Sequence, residues 1–337
     1  MSPNFRSRFL AVAALLIFPA GLLFAQDKAG QKADQVKVDV KTDAKTDVKT
    51  DVKTDSWDGN RALATVVDLV KFTPRAMETP GHQKAIDYIV SELKKTKFDA
   101  VTQQRWIARE AGRTMAMTNI IARFNPANPR RVIVATHYDS IIKAYRDAKT
   151  PDAPMPGANN SGSGVAVLLE TARVLSELPE APPVGIDMIF FDGEEGPLSL
   201  GAGDPNFHSI GSPYFTERLA EFYPNAKPEK MLDFDMVCDR DLHLKAEQSG
   251  LRSAPLEVKK FWDIGMEVAP HAFERQPAPY AIQDDHTAFH LAGIPSFVVI
   301  DFEYEPFYNT TEDTPDKCSA QSLEAVGRTL VKYLYLP

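Results

Sequence analysis

Apolar residues along this chain fall into short runs divided by polar turns, interleaved with longer amphipathic stretches. Residues 60–73 and 82–98 have helical spacing. Val101 to Arg109, Thr118 to Phe124 and Arg131 to Thr136 read as strands, with Asn125-Pro126-Ala127-Asn128-Pro129 turning between the last two. Ser161 to Leu178 reads as a long helix, opened by a Ser/Gly cluster able to cap it. The stretch Ile186 to Asp192 has strand length and ends at Gly193 followed by Glu194-Glu195. Met231 to Val237 and Ser296 to Ile300 are two more strands, among helical segments near 212–222, 255–268 and 320–335. Strands of buried length alternating with helices predict an α/β fold: a single three-layer domain with a mostly parallel central sheet covered by helices on both faces.

The N-terminal pattern differs. Arg6 and Arg8 precede an apolar run from Phe9 to Phe24, with a plausible cleavage point at Ala25-Gln26. That run is short for a membrane span, which needs roughly 20 apolar residues, so residues 1–25 are expected to be an export signal. Residues 26–55 repeat Lys-Thr-Asp and offer little to bury, which predicts a solvated spacer. The expectation is a periplasmic or secreted protein without a stable membrane anchor, whose folded domain is 56–337. The formal charge of −8 gives no reason to propose nucleic acid as a partner. Nothing specifies a partner chain, and a monomer is expected. Cys238 and Cys318 are the only cysteines and allow either one bridge or two free thiols.

Polar clusters follow the expected strands. They are His137-Tyr138-Asp139, Glu194-Glu195, Asp235, and Tyr308 to Asp313; Gln283-Asp284-Asp285-His286 precedes an expected helix. Ligands in open α/β sheets bind beyond the carboxyl ends of the strands, so these clusters converge on one wall. Singly each has a bland alternative: Asp235 pairing with Arg240, Asp284 or Asp285 capping a helix, His137 satisfying a loop carbonyl.

With these motifs the chain resembles the M28 family of zinc aminopeptidases, and within it the glutaminyl cyclases. The resemblance covers roughly residues 60–337 and rests on Thr118 to Ile121, His137 to Ser140, Gly157 to Asn160, Phe190 to Glu195, Gln283 to His286, and Tyr308 to Thr310. Gln-Asp-Asp-His at 283–286 and the long insertion between Glu195 and Gly211 favour the cyclase branch. The resemblance implies Glu194 as proton shuttle, Glu195 as zinc ligand, and Asp235 and Asp284 as partner carboxylates. It also implies Gln283 lining a pocket for a peptide N-terminus, Tyr304 and Tyr308 as aromatic walls, and Leu200 in place of a Trp. His137 and Asp235 would serve a second metal ion.

The chain departs from that pattern at two ligand positions. Where the cyclases supply Asp and His around zinc, this sequence has Asn160 and Asn309. Amide oxygens suit hard cations and substitute poorly for carboxylate and imidazole around Zn²⁺. Zinc binding in the cyclase manner is therefore not expected. The remaining carboxylates would need protons, a different divalent cation site, or a cationic ligand such as a peptide N-terminus in a metal-free binding homologue.

Overall fold

The computed structural model describes residues 54–98, 100–197 and 207–336. The expected export signal, the spacer up to residue 53 and Leu200 lie outside the described residues. Thr54 and Asp55, assigned above to the spacer, belong with the fold. Thr54 is buried, and Arg328 donates to its Oγ1 at 3.2 Å and pairs with Asp55 at 3.3 Å.

In chain order the elements are α1 (Gly59–Val70), α2 (Pro80–Leu93), β1 (Ala100–Glu110), β2 (Arg113–Phe124), β3 (Arg131–His137) and α3 (Gly162–Glu177). Then come β4 (Gly185–Phe191), α4 (Gly211–Glu217), α5 (Leu219–Phe222), β5 (Lys230–Asp235), α6 (Gln248–Ser253) and α7 (Pro255–Val268). The chain closes with α8 (Asp285–Leu291), β6 (Ser296–Ile300) and α9 (Ala320–Leu334). The sheet order is β1-β2-β4-β3-β5-β6. β1 and β2 form an antiparallel hairpin, β2 is antiparallel to β4, and β4, β3, β5 and β6 run parallel.

Alternation along β4 explains the three layers. Ile186, Met188 and Phe190 join the larger core, which also holds buried faces of α1, α2, α3, α7 and α9. Ile189 and Phe191 point to the other face and pack with Phe215 of α4 and Phe289 of α8. Asp187, also on that second face, is buried but matched by the Arg131 guanidinium and the Tyr223 hydroxyl at 2.6 Å. Helix α3 is buried over most of its circumference, as a helix against the sheet centre should be.

The Ser/Gly cluster at the start of α3 serves packing rather than capping. Ser161 makes no side-chain cap; its Oγ donates to the Asp139 carbonyl at 2.7 Å. A Cβ on Gly164 would lie 2.1 Å from Thr136 Oγ1 and 2.3 Å from the Phe234 carbonyl, so this glycine lets α3 approach β3 and β5. The two cysteines form the disulfide Cys238–Cys318, tying the segment after β5 to the segment before α9. Among the described residues no helix is long and apolar enough to cross a membrane.

Candidate active site

β3 lies between β4 and β5, where the strand order reverses, and the polar clusters gather at the carboxyl ends of these three strands. His137 ends β3 and Asp235 ends β5, and the His137 Nε2 lies 3.1 Å from Asp235 Oδ1. The pairing of Asp235 is thus with His137, not with Arg240, whose Nε donates to the Asp316 carbonyl. The other ring nitrogen of His137 is 3.5 Å from Asp139 Oδ1 and 3.9 Å from Glu194 Oε2. Burial disfavours its charged form, but Asp235 and Asp139 outweigh that and hold the imidazole well above its ordinary pKa.

The turn after β4 is fixed from three sides. Asp192 accepts the Thr118 N–H at 2.7 Å and contacts His82 Nε2 at 2.9 Å, while Asn119 Oδ1 accepts the Asp192 N–H at 3.0 Å. Gly193 has φ 71°, and a Cβ there would meet Met117 at 2.6 Å. Asp139 accepts the backbone N–H groups of Glu194 and Glu195 at 3.1 and 3.3 Å. Asp139 therefore sets where both glutamates point. Sequence reasoning gave it no role, although it sits in the His137-Tyr138-Asp139 motif.

Glu195 accepts a hydrogen bond from Asn160 Nδ2 at 2.8 Å. The same nitrogen donates to Asn309 Oδ1 at 3.2 Å, and Asn309 Nδ2 donates to the Tyr145 hydroxyl at 3.1 Å. The Asn160 Oδ1 is buried without a partner. Asn309 has φ 56°, a left-handed conformation that Asn tolerates better than most residues. Behind Asn160, the buried Asp313 accepts the backbone N–H groups of Asn159 and Asn160 at 2.8 and 3.2 Å. Tyr145 and Asp313 were not anticipated as supports of this site; Asp313 was legible only as part of a polar cluster.

Asp284 is the N-cap of α8, accepting the Asp285 N–H at 2.6 Å. It also lines the cavity, so its bland and functional readings hold together. The cavity measures about 490 Å³. Asn160, Glu194, Glu195, Asp235 and Asp284 form its polar floor, with Phe207, Tyr280, Ile282, Gln283, Phe302 and Tyr308 around them. Tyr308 packs against Phe302, ring centroids 5.7 Å apart, with the Arg146 guanidinium 5.1 Å from its own centroid. Tyr304 does not join this wall. It is fully buried and its hydroxyl donates to Asp313 at 2.9 Å, so it serves the scaffold behind Asn160.

Burial, then Asp284, pushes the Glu194 carboxyl well above the usual range. Burial raises Glu195 to about 8, and burial with the neighbouring Asp235 raises Asp284 to about 7. The floor is thus rich in acceptors and short of positive charge, with His137 as its nearest cation.

This fold, a six-stranded mixed sheet flanked by helices, is that of the zinc exopeptidases. The profile of peptidase family M28 matches residues 119–334, and the chain belongs to that family. A Zn-dependent exopeptidase from Parabacteroides distasonis is 30% identical with a TM-score of 0.76, covering 84% of this chain and 99% of that one. The glutaminyl cyclase of Fimbriiglobus ruber is 28% identical with a TM-score of 0.77, covering 85% of this chain and 97% of that one. Aminopeptidase YwaD from Bacillus subtilis (strain 168) is 28% identical over 288 residues, which are 82% of this chain and 57% of that protein. The chain therefore spans little more than half the length of that relative.

Proposed function

We propose that the cavity receives the N-terminal residue of a peptide and cyclises an N-terminal Gln with release of ammonia. The reaction runs by proton transfer through Glu194, without zinc between Asn160, Glu195 and Asn309. The supporting observation is the bonding of Asn160, whose Nδ2 directs N–H donors at both Glu195 and Asn309. A zinc ion there would require lone pairs from all three side chains, so this set does not fit the metal. His137 and Asp235, which lie 3.1 Å apart, would serve a second ion only with a further ligand, and the position for it is again Asn160.

What this chain's residues do follows from charge and position. An α-ammonium adds to the positive charge that His137 brings to Asp235 and Glu194, and beside it the carboxyls of Glu194 and Asp284 give up their protons and accept its hydrogen bonds. The bound ammonium first gives one proton to the Asp284 carboxylate, which frees the nitrogen lone pair, and Glu194 takes a second proton as the nitrogen attacks the γ-carbonyl carbon of the same residue. The proton then passes to the departing amide nitrogen as the old C–N bond breaks and ammonia leaves. Intramolecular attack needs no activated water and gains a high effective molarity from positioning. Hydrolysis needs a nucleophilic water, which Glu194 would have to activate with no metal to lower the pKa of that water. Gln283 and Tyr308 at the wall would enclose the first side chain.

The test is mass spectrometry of a Gln-initiated peptide incubated with wild type and Glu194→Gln in the presence of a chelator. The expected result is a pyroglutamyl peptide and ammonia with wild type and an unchanged peptide with the variant. Release of free Gln would overturn cyclisation. A second reading, a metal-free homologue that binds peptide N-termini without turnover, is also favoured by the bonding of Asn160. It would gain support if wild type bound the peptide saturably and left it intact.

A further inference from the structure

β5 ends in Asp233-Phe234-Asp235, and strand alternation sends both carboxylates to the same face. Asp235 serves the cavity. Asp233, 1% exposed, faces the start of α8, where its Oδ2 accepts the His286 N–H at 2.9 Å. Asp233, Asp284 and His286 are all buried, and each offers a ligand atom, all within 4.8 Å of one another.

The ring of His286 supplies an independent observation. Its Nε2 lies 2.9 Å from Ser249 Oγ, which in turn donates to Glu247 Oε2 at 2.6 Å. This relay sets the tautomer: Nε2 carries the hydrogen, and Nδ1 carries a lone pair. That Nδ1 is buried and has no hydrogen-bond partner. An imidazole held through Nε2 by a hydroxyl–carboxylate relay, in a group whose ligand atoms lie within 4.8 Å of one another, has the orientation that metal-bound histidines usually have.

We propose that Asp233, Asp284 and His286 Nδ1 bind one divalent cation of the zinc or manganese class, at a place separate from Asn160, Glu195 and Asn309. Two carboxylates and an imidazole make a three-ligand set of the kind that leaves a coordination position open. Drawing the atoms onto an ion at about 2.0–2.2 Å requires side-chain shifts of about 1 Å. Asp284 also lines the cavity, so the cation would offset charge just behind the acidic floor. Asp284 is common to this site and the cavity floor, but zinc uptake is read without substrate and does not rest on the reaction proposed above.

Zinc is the probe. Metal-free full-length protein is titrated against a chromogenic chelator, with Asp233→Asn, His286→Ala and Glu195→Gln beside wild type. One equivalent of zinc is expected in wild type and Glu195→Gln, with affinity falling at least tenfold in Asp233→Asn and His286→Ala. No uptake by wild type, or loss in Glu195→Gln with retention in His286→Ala, would overturn the site. Should the two variants fail to fold by circular dichroism, anomalous diffraction from a zinc-soaked wild-type crystal decides. A peak among Asp233, Asp284 and His286 supports the site, and a peak elsewhere or none refutes it.

Discussion

Replacing Glu195→Gln should flatten the stability profile of this protein above neutral pH. In the folded chain burial raises the Glu195 carboxyl from 4.5 to about 8. Between those values the folded state keeps a proton that the unfolded state has released. Stability is therefore lost as pH rises, and the loss saturates above the folded pKa. At about 1.4 kcal/mol per tenfold, this group accounts for about 2 kcal/mol between roughly pH 6.5 and pH 8.5. Asp284, raised to about 7, and His137, held well above its ordinary value, act in the same direction and are common to both proteins. His286, lowered to about 4 by burial, acts in the opposite direction, but its contribution levels off just above the unfolded value of 6.5 and is common to both proteins. The assay is urea unfolding of wild type and variant at the two pH values in a chelator. Wild type should lose stability on going up in pH, and the variant should lose about 2 kcal/mol less. Equal losses, or a wild type that gains stability at the higher pH, would refute the buried-acid reasoning.

Other outcomes follow from the same contacts. The double substitution Asn160→Asp/Asn309→His turns a donor to Glu195 into a like charge. It should cost about 3 kcal/mol without metal and add a second equivalent of zinc, read by calorimetry, which a further Glu195→Gln removes while the equivalent at Asp233, Asp284 and His286 stays. Tyr304→Phe removes the hydroxyl that Asp313 accepts and should destabilise by about 1–2 kcal/mol in urea unfolding with KM for a Gln-initiated peptide unchanged. Tyr308→Ala, by contrast, should raise that KM, because Tyr308 lines the cavity. Reducing Cys238–Cys318, which are 80 residues apart, should lower stability by about 4 kcal/mol, checked by unfolding with and without reductant.

The sheet was legible because its strands carry their own evidence. β4 alternates cleanly between two cores, and the turn at Gly193 marks where it stops. What the sequence could not show was pairing across distance. Asn160, Glu195 and Asn309 could each be read as a ligand position, yet nothing in their spacing says that Asn160 points its N–H at the other two. Tyr304 and Tyr308 are four residues apart and looked alike; only the fold shows that Asp313 draws one inward. The opening of α3 misled for another reason. Ser161 is a good cap by type, but Asp139 and Arg75 already occupy its hydroxyl. Asp233 did carry a signal, the Asp-Phe-Asp alternation of β5, which places two carboxylates on one face.

The most direct measurement is calorimetric binding of a short Gln-initiated peptide to wild type, against the same peptide with its N-terminus acetylated. A free α-ammonium is the group the acidic floor is matched to. Saturable binding by the free peptide and loss of at least tenfold in affinity on acetylation are expected. Equal affinity for the two peptides, or no binding of either, would contradict the account.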